Sequence, residues 1–162
     1  MVLFLVLFLA EGTIWPLAAG IGHRGFTPHL TLVLLLLLSL RQSPYAALLQ
    51  GFLLGLTYDL TYGYALGLYT FGLAWLAYLA AWAGSHFHAT WSTSMVAVFV
   101  GDLLFQFYVF FSYSLFDLES VPFADSFSHQ MLPSAVFNAL FALLLYAWIQ
   151  RLRHFRLSLY GK

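Results

Sequence analysis

Three carboxylic acids interrupt the apolar runs of this 162-residue chain: Glu11, Asp59 and Asp102. Groups of this type in such runs carry a proton or ion, cap a helix, or tie helices together by hydrogen bonds. An ionised carboxylate in hydrocarbon is costly unless something compensates it. No Lys or Arg lies deep in an apolar run to do so. Each acid is therefore neutral, close to a membrane face, hydrogen-bonded, or paired with a partner chain. Asp59 has the most informative surroundings, QGFLLGLTYDLTYGYALGLYTFG. Gly51, Gly55 and Asp59 are spaced four apart and share one side of a helix. Small residues there let a second helix approach closely. Asp59 also stands at a helix end, where YDLTYG leads into a turn, with Gly63 and Gly67 just beyond. Three roles stay open for it: meeting water or capping the next helix, a buried contact to another helix or a partner protein, and proton or ion transport.

The other polar groups point to an internal seam. Asp102 and Gln106 are one helical turn apart, as are Ser134 and Asn138. Bonds between two such pairs are worth about 0.6–2 kcal/mol each in a membrane. The histidines are His23, His29, His86, His88, His129 and His154. His86 and His88 flank Phe87, but with no nearby Cys or acid they read as loop histidines at the headgroup level and not as metal ligands. Cysteine is absent, which removes disulfides and thiolate sites. The chain has no Gly-x-Ser-x-Gly, no phosphate-binding Gly-rich loop and no HExxH, so no catalytic, metal or cofactor residue is assigned and an enzyme is not expected.

The elements that must hold these groups are membrane helices. The chain is 62% hydrophobic and 7% charged, against about 25% charged in soluble domains. Mean hydropathy is +0.87. Runs such as LTLVLLLLLSL are continuous and lack the period-two alternation of a transmembrane barrel. The reading is an all-α membrane protein of about six helices of about 20 residues each, in one polytopic domain over residues 1–162. The segments run about 2–19, 29–40, 45–60, 64–83, 94–116 and 131–152. The second spans only about 18 Å, so it borrows flanking residues or sits in a thinned or protein-covered place. Met1–Gly20 lacks the basic start and cleavage site of a signal peptide, so a retained first helix is expected. Tyr62, Tyr64, Tyr69, Trp75 and Trp82 read as interfacial anchors, with a stacking site for a ring-bearing ligand as the alternative.

Loop charges set the expected orientation. Six spans put both termini on one side, together with Arg41, Arg151, Arg153, Arg156 and Lys162. The other side holds Arg24 and an acidic loop with Asp117, Glu119 and Asp125. The positive-inside rule places the first side in the cytoplasm. Zero formal net charge argues against a nucleic-acid partner, which leaves lipid and other proteins.

The run PHLTLVLLLLLSL followed by GFLLGLTYDLTYGYALGLYTFGLAWLAYLA resembles the rod shape-determining MreD family. The resemblance lies in Pro28, Gly51, Gly55, Asp59, Leu66-Gly67 and Tyr78-Leu79. Ala10-Glu11 and Phe107-Tyr108-Val109-Phe110 resemble its Firmicutes branch. At position 106 this chain has Gln where relatives nearest in pattern carry an acid. The resemblance implies a non-enzymatic scaffold of the elongation machinery in the bacterial inner membrane, supporting peptidoglycan synthesis and cell shape. Its implied partners are MreC directly, and MreB, RodA and a class B penicillin-binding transpeptidase. It also implies a fold similar to the substrate-binding subunits of energy-coupling-factor transporters. The expected contact elements are Gly51, Gly55, Asp59, Gly63 and Gly67, with the acidic loop as a second surface. The alternative from another class is a vitamin-like small-molecule-binding subunit of a membrane transporter.

Overall fold

The computed structural model describes residues 2–19, 28–62, 66–87, 90–115 and 122–160. These residues are all helical apart from short turns, with no strand among them. The helices are α1 (Val2–Ala19), α2 (Leu30–Ser39), α3 (Pro44–Tyr62), α4 (Leu68–His86), α5 (Trp91–Leu115), α6 (Phe123–Ser126) and α7 (Leu132–Tyr160). A π-helical turn, Phe127–Met131, joins α6 to α7 without a break. The described chain therefore forms six rods.

α2 is the axis of the bundle. It touches α1, α3, α4, α5 and α7, and Thr31–Leu37, Ser39 and Leu40 are all buried. A helix apolar on every side must be covered on every side. Its ten residues span only about 15 Å, and the surrounding rods cover that short length. Its one hydroxyl near the far end, on Ser39, donates back to the Leu35 carbonyl at 2.7 Å. Ser43-Pro44 then starts α3. Pro44 is the first helical residue, where a missing N–H and a fixed φ cost nothing.

The last rod departs from expectation. The sequence places its start near Met131, because FADSFSHQ is polar. In the structure the rod begins at Phe123, after Pro122, and α7 continues to Tyr160. Pro133 has no N–H to offer the carbonyl four residues earlier. The wider π turn lies immediately before it and absorbs that defect.

The outside of the bundle is a hydrocarbon-facing surface. Leu49, Leu53 and Leu60 on α3, Phe71 and Trp82 on α4, Val96 and Phe111 on α5, and Leu140 and Leu144 on α7 are each more than half exposed or close to it. Water does not solvate such a surface; lipid does. Two stretches, Trp91–Leu115 and Phe123–Trp148, are long and apolar enough to cross a bilayer by themselves.

Candidate functional site

α3 and α4 form a hairpin closed by Asp59. Its Oδ1 accepts the backbone N–H of Tyr69 at 2.9 Å. Its Oδ2 accepts the N–H of Gly67 and of Thr70, both at 2.9 Å, and the Thr70 hydroxyl. Asp59 is 3% exposed, yet its acceptor capacity is well filled. These donors are the orphan N–H groups of the first turn of α4. A carboxylate there also meets the positive end of the helix dipole. Gly67 holds φ 102° just before α4, a left-handed conformation that favours glycine. One helix end thus caps the next, across a turn whose Gly63 and Tyr64 lie outside the described residues.

The glycines below Asp59 set the hairpin spacing. A Cβ on Gly51 would strike the Leu73 carbonyl and the Ala74 backbone. One on Gly55 would strike the backbone of Tyr69 and Thr70. Backbone touches backbone here, so α4 covers this side of α3 and no second chain can lie on it.

The other two acids face the centre. Glu11 Oε2 accepts the Thr31 N–H at 3.2 Å, the Thr31 hydroxyl at 2.9 Å and the Tyr58 hydroxyl at 3.0 Å. It thereby joins α1, α2 and α3. Asp102, fully buried, lies 2.9 Å from His29 Nδ1 through Oδ1. Its Oδ2 accepts the Gln106 amide at 2.7 Å. That amide also reaches the Met131 carbonyl at 3.4 Å. The His29 backbone N–H donates to Asn138 Oδ1 at 3.2 Å. Asp102 on α5 and Asn138 on α7 are therefore bridged through His29 at the entrance of α2. Asn138 Nδ2 is buried and finds no partner among the described residues.

Two cavities meet at this network. One, about 310 Å³, is lined by Glu11, Tyr58, Tyr62 and Phe8. The other, about 200 Å³, is lined by Gln106, Tyr113 and Met131. His29, Tyr69 and Phe105 line both.

The remaining expected residues lie apart. Asp125 is exposed on α6, while Asp117 and Glu119 fall outside the described residues. His86 is exposed and its ring lies 4.6 Å from that of Trp82; His88 is outside the described residues. Among the described residues no group of three or more His, Cys, Asp or Glu gathers to hold a metal.

The sequence matches the family described as rod shape-determining protein MreD over residues 1–156. The chain belongs to the MreD family. It is similar to the rod shape-determining protein MreD of Bacillus subtilis (strain 168), 30% identical over 118 residues that cover 73% of this chain and 69% of that one. No solved structure matches it significantly. The chain is thus a member of a membrane-protein family of rod-shape determination. Gly51, Gly55, Asp59 and Gly67, singled out in the sequence, together build the α3–α4 hairpin. The central network carries a second set of residues, and sequence reasoning passed over His29, Thr31 and Tyr58 in it, as it did Thr70 in the hairpin cap.

Proposed function

We propose that this MreD family member is a non-enzymatic scaffold of the inner membrane that binds MreC and so supports peptidoglycan synthesis during lateral wall growth. The observation that carries this reading is the family match over residues 1–156. The polar groups inside the bundle support it too. Glu11, Asp59 and Asp102 are held by hydrogen bonds to residues of other helices or their ends, Thr31, Thr70 and His29, a use that suits a rigid platform. MreB, RodA and the transpeptidase join through that assembly.

The Gly51–Gly55 side of α3 is covered by α4, so the docking surface for MreC lies elsewhere. The lipid-facing sides and the outer acids, Asp125 on α6 with Asp117 and Glu119 before it in the sequence, are the available places. The polypeptide is a single polytopic domain whose two termini lie in the cytoplasm. Affinity capture of the tagged protein from native membranes, followed by identification of retained proteins, tests the reading. MreC is expected among them, and in reduced amount when the three loop acids are changed to Asn and Gln. Capture of the intact protein with no MreC would overturn it, and undiminished MreC on the loop variant would remove the loop.

A further inference from the structure

The larger cavity has a composition that the scaffold role leaves unused. Its wall carries five aromatic rings, those of Phe8, Tyr58, Tyr62, Tyr69 and Phe105, and the carboxyl group of Glu11. The rings are mutually braced. Phe8 meets Tyr58 edge-on at 4.8 Å, Tyr58 stacks on Tyr69 at 5.8 Å, and Tyr69 leans on Phe105 at 6.0 Å. Among the described residues, the three hydrogen bonds to Glu11 go to Oε2. Behind the cavity stands a second carboxyl group, Asp102, with His29 between. The lining holds no Lys or Arg among the described residues. Two carboxyl groups face one imidazole, so the site is biased toward positive charge.

Each candidate ligand class can be weighed on these facts. An anion meets no Lys or Arg among the described residues, and the His29 ring is already taken by Asp102. A bare metal ion meets no set of three ligating side chains among the described residues. Water can meet Glu11 and the tyrosines of the lining, but it leaves the faces of Phe8 and Phe105 without apolar contact. An organic cation suits both parts of the wall: its charge is attracted by ring faces and by a carboxylate, and its apolar body fills the rest. A cavity of about 150 Å³ takes benzene. The larger cavity, at about 310 Å³, takes a ring or short alkyl body with an aminoalkyl arm.

We propose that this cavity binds an organic ammonium group, seated among the rings against Glu11. The ammonium belongs either to a free amine or to the headgroup of an ethanolamine lipid. The site stands whether or not the chain binds MreC.

The test uses the full chain in phosphatidylglycerol nanodiscs, with 2-phenylethylamine as the probe and 2-phenylethanol as its uncharged counterpart. Calorimetric titration is expected to give an amine affinity at least about tenfold above that of the alcohol, the scale of one charge-assisted contact. Glu11→Gln keeps an oxygen for Thr31 and Tyr58 and should erase that preference while elution volume and helicity stay the same. Tyr62→Leu, at a ring 45% exposed, should weaken the amine more than the alcohol and gives a second reading if the first variant misfolds. Equal binding of the two probes, no binding of the amine, or a preference that survives both substitutions overturns the proposal. Nanodiscs containing phosphatidylethanolamine separate the sources. Retention of that lipid in native mass spectra, with weaker amine binding, identifies the headgroup. Unchanged amine binding with no retained lipid identifies a free amine. Retention of phosphatidylglycerol in equal measure by wild type and Glu11→Gln counts against any ammonium site.

Discussion

His29 decides how the buried carboxyl group of Asp102 is tolerated. Asp102 is fully buried and has His29 and Gln106 as its hydrogen-bond partners. Breaking a buried pair from one side leaves the other group uncompensated and costs about 3–5 kcal/mol, whereas replacing both with apolar groups is often near neutral. His29→Ala should therefore destabilise the protein in detergent by about 3 kcal/mol, and His29→Leu with Asp102→Leu should recover most of it. Thermal unfolding of the two variants beside the wild type measures this. A double variant as unstable as the single would show that the pair is not the source of the loss. His29 was legible only in part. The acids were visible as costly groups without deep Lys or Arg, but histidine is also a cation when protonated. Pro28-His29 stands at the mouth of the most apolar helix. Seeking a histidine at a helix entrance would have found it. Tyr58 and Thr31 gave no such signal, because hydroxyl groups in apolar segments are common and their partners depend on tertiary contact.

At the scale of elements, the α3–α4 hairpin was the most readable part of the chain. Spacing placed Gly51, Gly55 and Asp59 on one side of a helix, and in the structure that side faces α4. Which element covers it was not legible, since a small-residue stripe accepts a neighbour from the same chain or from another. The energetic consequence differs between glycines. At Gly55 an added Cβ meets backbone atoms of Tyr69 and Thr70, which cannot turn aside. At Gly12 the nearest atoms it meets among the described residues are those at the far end of the Tyr62 side chain, which can. Gly55→Ala should lower stability by about 3 kcal/mol, the upper range for overpacking, and Gly55→Leu should stop the protein accumulating. Gly12→Ala should cost less than about 1 kcal/mol. Folded yield and unfolding temperature compare the three. Equal tolerance at Gly12 and Gly55 would contradict the close backbone approach. The start of the last rod was misplaced for a different reason. Polar residues between Phe123 and Gln130 read as loop, while the π turn that lets the helix continue past Pro133 leaves no mark in hydropathy.

For the whole molecule, contacts between rods sort the polypeptide into two ends. At one end Leu40 lies against Gly84, and the Arg41 guanidinium sits 5.0 Å from the centre of the Tyr146 ring. At the other, Glu11 meets Thr31 and Tyr58, Asp59 caps α4, and Gln106 reaches Met131. α1 approaches Thr31 with its later residues, so its first residues point to the Arg41 end. α7 leaves Met131 and passes Tyr146 toward the same end. Arg151 follows there, and Arg153, Arg156 and Lys162 come later in the sequence. The helix directions bring Arg41 and Arg151 to one end, and the positive-inside rule then predicts that this end lies in the cytoplasm. The cysteine-free sequence makes the test direct, because any introduced cysteine is unique. Ser43→Cys lies in the exposed turn after Arg41, and Asp125→Cys lies on exposed α6. In intact cells a membrane-impermeant maleimide should label Asp125→Cys and spare Ser43→Cys until the membrane is permeabilised. The reverse pattern would invert the protein, and labelling of both from outside would remove the crossing between them. The same orientation puts the cavity of Glu11 and Tyr62 near the outer face, so an impermeant amine should reach it without entering the cell.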